Sequence, residues 1–161
     1  MRVVGPSIAA GLILSGVFTL ILLLGGVVAR DFGVHGHPAP IRRRYGPKSA
    51  RGRRVTAVAG ALIAVTITAT LAALMAAVDA RTFGTAFAAA EIALLTWNAY
   101  DLVVLDWLVF VAWRPALVVL PGTEDMPECR DWRFHAAGFA KGVVIVTVIA
   151  LVAATVTALV R

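Results

Sequence analysis

Four polar side chains, Glu91, Asn98, Asp101 and Asp106, lie within one apolar stretch that ends at Arg114. The stretch is long enough to cross a bilayer, because about 20 residues at roughly 1.5 Å each span the hydrocarbon core. A charged group there costs roughly 2.5–3.5 kcal/mol on insertion scales, so intramembrane acids are candidates for function. A desolvated carboxyl can also act as a general acid. We therefore consider Asp101 and Asp106 candidate catalytic residues.

A helical projection at about 100° per residue points Glu91 and Asn98 in the same direction, with Asp101 and Asp106 on either side. This polar arc is expected to face the interior of the protein. Two interpretations remain open. The arc lines a ligand pocket that opens towards the cytoplasmic leaflet, or its groups hydrogen-bond to hydroxyls and only fix helix packing. The candidate ligand-binding residues are Glu91, Asn98, Trp97, Tyr100, Thr66, Thr68, Lys141 and His135.

Four apolar segments are available to position these side chains. The chain has 161 residues, of which 60% are hydrophobic, against roughly 45–50% in soluble domains. The expected spans cover about residues 7–29, 55–78, 84–114 and 134–160. The sequence thus predicts an all-α fold, an integral membrane four-helix bundle, with residues 1–161 forming a single membrane domain.

The positive charge indicates the topology. Loop 30–54 contains eight basic residues, and loop 115–133 is also polar. The connection at 79–82 contains one basic residue, Arg81. The positive-inside rule places both long loops in the cytoplasm and both termini outside, in a multi-pass protein of the cell (plasma) membrane. The net charge of +6 is then explained by topology and contact with membrane lipid, and nucleic acid is not an expected partner.

Metal and haem sites are not expected. His35 and His37 form an H-x-H pair, but no carboxylate or cysteine cluster accompanies them. Axial haem ligands would be needed within the bilayer, and all three histidines lie in a loop or at the end of a span. Cys129 is the only cysteine, which excludes an intramolecular disulfide. The sequence identifies no cofactor.

Helix register suggests a further contact. Asp106 lies eight residues from Arg114, and Lys141 lies eight residues from Arg133. On antiparallel neighbours the two groups would share a depth of about 12 Å, which predicts an Asp106–Lys141 ion pair; the alternative is that Lys141 extends to the interface.

Small residues mark a close-packing face on the first span. Gly11 and Ser15 lie four residues apart. Small side chains at this spacing let two helix backbones approach closely. We therefore expect another helix to pack against them.

One block resembles known sequences. It contains D-L-V-V-L-D-W-L, then P-G-T-E, then C-R-D-W-R-F-H-A-A-G-F-A-K-G, between Asn98 and Gly142. It resembles a group of small, largely uncharacterised bacterial four-span membrane proteins with a D-L-x-x-L-D-W-L span and a P-G-T-E loop. The resemblance implies a topology and residues of interest but no mechanism. Those residues are Asn98, Asp101, Asp106, Glu124, Arg130, Asp131, His135 and Lys141.

The expected function is that of a small polytopic membrane protein. Its acidic intramembrane pocket would bind a hydrophobic small molecule (a lipid, an isoprenoid or a quinone), or the protein would support a larger membrane complex. The alternative is a membrane-embedded enzyme that uses Asp101 and Asp106 as general acid and base on an isoprenoid-like substrate, by cyclase or isomerase chemistry. Expected partners are membrane lipid, such a ligand, and a second copy or another membrane protein.

Overall fold

The computed structural model describes residues 3–160, and 80% of it is helical. No strand occurs among these residues, which confirms the all-α prediction. The helices are α1 (Val4–Val28), α2 (Ala39–Tyr45), α3 (Ala50–Ala77), α4 (Phe83–Tyr100) and α5 (Trp132–Val160), with a π-helical segment (Asp101–Trp113) that continues α4 and 3-10 turns at Val34–Gly36 and Pro127–Arg130.

Four helices are long and apolar enough to cross a membrane, as the sequence predicts. They are Val4–Val28, Ala50–Ala77, Phe83–Trp113 and Trp132–Val160. Many of their large apolar side chains are exposed, including Leu12, Ile13, Leu62, Val65 and Val144. In a soluble protein so large an apolar surface would be unusual, whereas a lipid-facing surface requires it.

The second span begins five residues before the predicted Val55. The Asp31 carboxylate accepts a hydrogen bond from the Ser49 amide at 2.5 Å, and the Ser49 hydroxyl accepts one from the Gly52 amide at 2.9 Å. These bonds cap the helix upstream of the apolar run. The arginines between Ala50 and Val55 are therefore helical and not part of an irregular loop.

Loop 30–54 is more ordered than its prolines and glycines predict. Pro38 precedes α2 and Pro40 lies in its first turn, where the fixed φ of proline favours a helix start. Ile41 is fully buried against Val34 and Leu120. This small core holds α2 in place.

The described chain forms two compact units, and each of the four candidate spans contributes residues to both. The first unit consists of residues 3–17, 65–101 and 138–160. Its core is rich in small residues, which let helix backbones approach closely. Four alanines of α4 are fully buried: Ala86, Ala89, Ala90 and Ala93. Gly11 of α1 lies directly against the Ala93 carbonyl and the Thr96 side chain, so the predicted small-residue face on the first span does contact another helix.

The second unit consists of residues 18–64 and 102–137 and contains both long loops. The two loops contact each other, because α2 packs on the turn Pro127–Arg130 and Arg30 donates a hydrogen bond to the Ala116 carbonyl. The candidate site lies in this unit.

The π-helical segment has the greatest effect on where polar side chains point. It covers thirteen residues, Asp101–Trp113, and ends where the Arg114 amide donates to the Val109 carbonyl at 2.8 Å. A π turn bonds residue i to residue i+5, so a projection at about 100° per residue no longer holds within it. The predicted direction of Asp106 was based on that projection.

Candidate functional site: a polar cavity beside the π-helical segment

Asp106 contacts His135 and not Lys141. The Nδ1 atom of His135 lies 2.8 Å from the Asp106 Oδ1 atom. His135 is buried near the start of α5, and Asp106 is half-buried. Lys141 is exposed and forms no ion pair among the described residues, so the predicted Asp106–Lys141 pair was wrong. The sequence-predicted candidates Asp106 and His135 are thus brought together.

The Asp106–His135 pair adjoins a small cavity within the second unit. The cavity measures about 10 Å³, close to the smallest space that admits one water molecule. The residues that line it are His37, Pro38, Phe110, Arg114, Val118, Val119, Glu128, Cys129 and His135. They come from both long loops, the π-helical segment and α5, so residues far apart in sequence converge here.

Two buried polar atoms of the lining lack a hydrogen-bond partner within the described part of the chain. They are Nε of Arg114, a donor, and Oε2 of Glu128, an acceptor. Leaving such a group unsatisfied costs about 1–3 kcal/mol, and more when it is charged. Such groups in native proteins are normally satisfied by an ordered water, an ion or a ligand, or have a catalytic role.

Arg114 also carries backbone strain. Its φ is 52°, in the left-handed region that non-glycine residues rarely adopt. The following Pro115 prevents a regular helical continuation, and the Arg114 Nη2 atom donates to the Glu124 carbonyl at 2.5 Å. Strained residues cluster at functional sites, and Arg114 is one of the residues that line the cavity.

His37 is the second buried imidazole of the cavity. Burial, together with the nearby His135, lowers the pKa of His37 from 6.5 to about 4. Its ring meets that of Phe110 edge-on, with centroids 5.9 Å apart. His37 is therefore neutral at physiological pH and offers both a donor and an acceptor nitrogen. His35, two residues earlier, is exposed, so the H-x-H pair does not act together.

The cavity combines a donor, an acceptor and an oriented imidazole. When Nδ1 of His135 donates to Asp106, the Nε2 atom of the same ring is left to exchange a proton. The free Nε–H group of Arg114 and the free oxygen of Glu128 suit a group that both accepts and donates a hydrogen bond. The described residues contain no group of three or more His, Cys, Asp or Glu side chains that could hold a metal ion.

Glu91 and Asn98 lie in the first unit, where each has its own contact on α5. The Glu91 Oε1 atom accepts a hydrogen bond from the Thr147 hydroxyl at 2.8 Å. The Asn98 Nδ2 atom donates to the Phe139 carbonyl at 3.3 Å, and its side chain lies against Gly142. These contacts connect α4 to α5, which favours the packing interpretation for Asn98. The second Glu91 oxygen, Oε2, is buried without a hydrogen-bond partner among the described residues, so Glu91 fits either interpretation.

The remaining predicted residues are distributed over the spans. Thr66, Trp97, Tyr100 and Asp101 are half-buried. Trp107 is 37% exposed, and its ring meets that of Trp132 edge-on, with centroids 6.4 Å apart.

A larger apolar groove lies within the first unit. It has a volume of about 410 Å³ between α3 and α5, and Thr68 is the only predicted residue in its lining. No carboxylate lines it.

Sequence reasoning missed three residues of the cavity: His37, Arg114 and Glu128. His37 was considered only as a metal ligand, Arg114 only as the end of a span, and Glu128 only as a loop charge. No local pattern marks them, because the packing of the two loops brings them together. The combination Arg114-Pro115 was a usable signal, since a proline disfavours α-helical backbone geometry at the preceding residue.

Comparison with known proteins gives no match: no protein family, no curated protein and no solved structure matches this chain.

Proposed function

We propose that this protein binds a hydrophobic small molecule, such as a lipid, an isoprenoid or a quinone, whose polar end enters the cavity beside His135. The observation that carries this proposal is the pair of unsatisfied buried atoms, Nε of Arg114 and Oε2 of Glu128, in one cavity. A ligand oxygen that accepts from the first and donates to the second would satisfy both. Four helices are long and apolar enough to cross a membrane, and a hydrophobic molecule would reach the cavity from that membrane.

The size of the cavity restricts what enters it. A space of about 10 Å³ accommodates a single oxygen-sized group, such as a hydroxyl, which can both accept and donate a hydrogen bond. The apolar side chains of Phe110, Val118 and Val119 surround this space and suit the carbon atoms next to that oxygen.

Arg114→Lys tests the proposal, because it keeps the positive charge but removes Nε–H. Small molecules that co-purify with the detergent-solubilised protein are identified by mass spectrometry. We expect the wild type to retain a defined molecule that Arg114→Lys retains at least tenfold less, since a hydrogen bond to a charged group contributes about 1.5–3 kcal/mol. Arg81→Lys is the matched control, because Arg81 pairs only with exposed Asp79. Equal retention by all three proteins, or only bulk lipid in each, would contradict the proposal.

The 2.8 Å contact between His135 and Asp106 favours a second candidate function, acid–base catalysis on an isoprenoid-like substrate. Asp106 would orient the imidazole, and Nε2 of His135 would exchange the proton. Asp101, half-buried at the start of the π-helical segment, remains the other catalytic candidate. A molecule that Asp106→Asn retains unchanged but that the wild type converts would support catalysis. Identical products from the two proteins would contradict it.

We further propose that the protein lies in the cell membrane of a bacterium, with both long loops in the cytoplasm and both termini outside. The support is the eight basic residues of loop 30–54 and the contact between the two loops. Single cysteines at exposed Asp125 and Arg81, introduced into a Cys129→Ser background, test this. A membrane-impermeant maleimide should label Arg81→Cys in intact cells and Asp125→Cys only after permeabilisation.

The protein could also assemble with a second copy or another membrane protein. Chemical cross-linking in native membranes, before any detergent is added, would detect either partner.

A further inference from the structure

Six exposed arginines lie close together in the sequence of the second unit, and we name them the arginine cluster. They are Arg42, Arg43 and Arg44 on α2 and Arg51, Arg53 and Arg54 in the first turns of α3. The ion pairs of the described residues are Arg81–Asp79 and His135–Asp106, so none of the six arginines is ion-paired with a carboxylate within residues 3–160. Arg53 donates a hydrogen bond to the Lys48 carbonyl.

The structure holds these arginines in place, which the sequence does not show. Ile41 is fully buried and anchors α2, so the three consecutive arginines that follow it project from a fixed helix. The hydrogen bonds that the Asp31 carboxylate and the Ser49 hydroxyl accept from backbone amides fix the start of α3. A ligand that binds here therefore meets side chains whose backbone is already ordered, which reduces the entropy lost on binding.

The cluster also lies at the unfavourable end of a helix. The N-terminus of an α-helix carries a partial positive charge, so cations there are destabilising and anions stabilising. The first turn of α3 contains no acidic residue of its own, and the Asp31 carboxylate, which accepts a hydrogen bond from the Ser49 amide, supplies one negative charge at this terminus. A bound anion would add to that charge and relieve the repulsion among the six guanidinium groups.

The position of the cluster identifies the anion. The apolar run of α3 begins at Val55, directly after Arg54, so the arginines lie where a span enters the bilayer. The headgroups of the leaflet occupy this depth. Arg binds phosphate through two parallel N–H groups.

The arginine cluster is positively charged, its backbone is ordered, and it lies where a span begins. From these three observations we infer that it is a binding site for anionic phospholipid headgroups, phosphatidylglycerol in particular. This inference is independent of the ligand proposed for the cavity. Each arginine beside an anionic surface strengthens binding roughly fivefold. Neutralising the three arginines of α2 should therefore weaken lipid binding by about a hundredfold.

Lipid titration followed by native mass spectrometry tests the inference. The wild-type protein in neutral detergent is titrated with phosphatidylglycerol, phosphatidylcholine or inorganic phosphate. The test variant is Arg42→Gln/Arg43→Gln/Arg44→Gln, and Arg42→Lys/Arg43→Lys/Arg44→Lys is the charge-matched control. We expect the wild type and the lysine variant to prefer phosphatidylglycerol over phosphatidylcholine, and the glutamine variant to lose that preference.

A second pair of variants separates lipid binding from folding. If the triple glutamine variant loses helical circular dichroism, Arg51→Gln/Arg54→Gln replaces it, with Arg81→Gln as the control outside the cluster. Equal affinity of the wild type for the two lipids would overturn the inference. Competition by free phosphate at equal concentration, or tighter binding of an RNA oligonucleotide than of phosphatidylglycerol, would also overturn it, since the ligand would then not be a lipid.

Discussion

Substituting Gly11 by alanine should separate α1 from α4. Gly11 is buried, and an added Cβ would lie 2.6 Å from the Thr96 Cβ atom and still closer to the Ala93 carbonyl oxygen. Ordinary contact begins near 3.4 Å, so the two helices would have to move apart by at least about 0.8 Å in a tightly packed region. A backbone oxygen cannot rotate away as a side chain does.

The size of the effect follows from two opposing contributions. Overpacking of this kind costs about 1–3 kcal/mol, and the backbone contact at Ala93 places Gly11→Ala near the upper end of that range. Alanine also favours the helix over glycine by up to about 1 kcal/mol. We therefore expect a net loss of about 2 kcal/mol in the free energy of unfolding, or a decrease of about 4–8 °C in the unfolding midpoint.

Gly16→Ala is the matched control on the same helix. Gly16 is exposed, and nothing lies within 4 Å of an added Cβ. This variant gains the helix propensity without the clash, so its midpoint should equal or exceed that of the wild type. Unfolding of both variants is followed by circular dichroism in the same detergent. If Gly11→Ala unfolds at the same temperature as Gly16→Ala, the close approach of α1 and α4 is not present.

Three further predictions concern α5 and the cavity. Gly142→Ala should destabilise the protein by about 1–3 kcal/mol, because its Cβ would lie 3.1 Å from Cγ of Asn98 and closer to the amide oxygen; a thermal midpoint equal to that of the wild type would count against this contact. A double-mutant cycle with Asp106→Asn and His135→Gln should give a coupling of about 1.5–3 kcal/mol in chemical unfolding, and additive effects would contradict the pair. The free energy of unfolding should be highest above pH 6.5 and fall by roughly 3 kcal/mol as the pH decreases to about 4, because only the unfolded state protonates His37 in that window. The His37→Phe variant should lack this decrease. A pH profile of His37→Phe identical to that of the wild type would refute the assignment.

The sequence predicted the spans because their signal is local and strong. Runs of more than twenty apolar residues specify membrane helices without reference to the rest of the chain, and all four occur within a few residues of their predicted limits. The largest difference between a predicted and an observed span boundary is at the start of α3. Its cap depends on Asp31, eighteen residues before Ser49, and a contact of that kind is not visible in a local pattern.

The site was only partly predictable. Asp106 and His135 were identified because ionisable groups in or near spans are conspicuous. Their pairing was not identified, because the depth of Asp106 was counted from Arg114 at the α-helical rise per residue, in a stretch where the chain forms a π-helix. No pattern in the sequence from Asp101 to Trp113 indicates this change from an α-helix to a π-helix. We have no physical account of why the π-helical segment extends over thirteen residues.

The position of the cavity at the end of this segment has a physical consequence. π-Helical turns are uncommon and occur frequently at functional sites, and this one ends in a residue with positive φ, Arg114, followed by a proline. A regular α-helix through the same residues would shift the direction of Asp106 and of Arg114 together, because both follow Asp101. The contact with His135 and the lining of the cavity therefore depend on one backbone feature. A variant that restored regular α-helical geometry should disrupt the Asp106–His135 pair and the Arg114 donor at once, even with every side chain of the site unchanged.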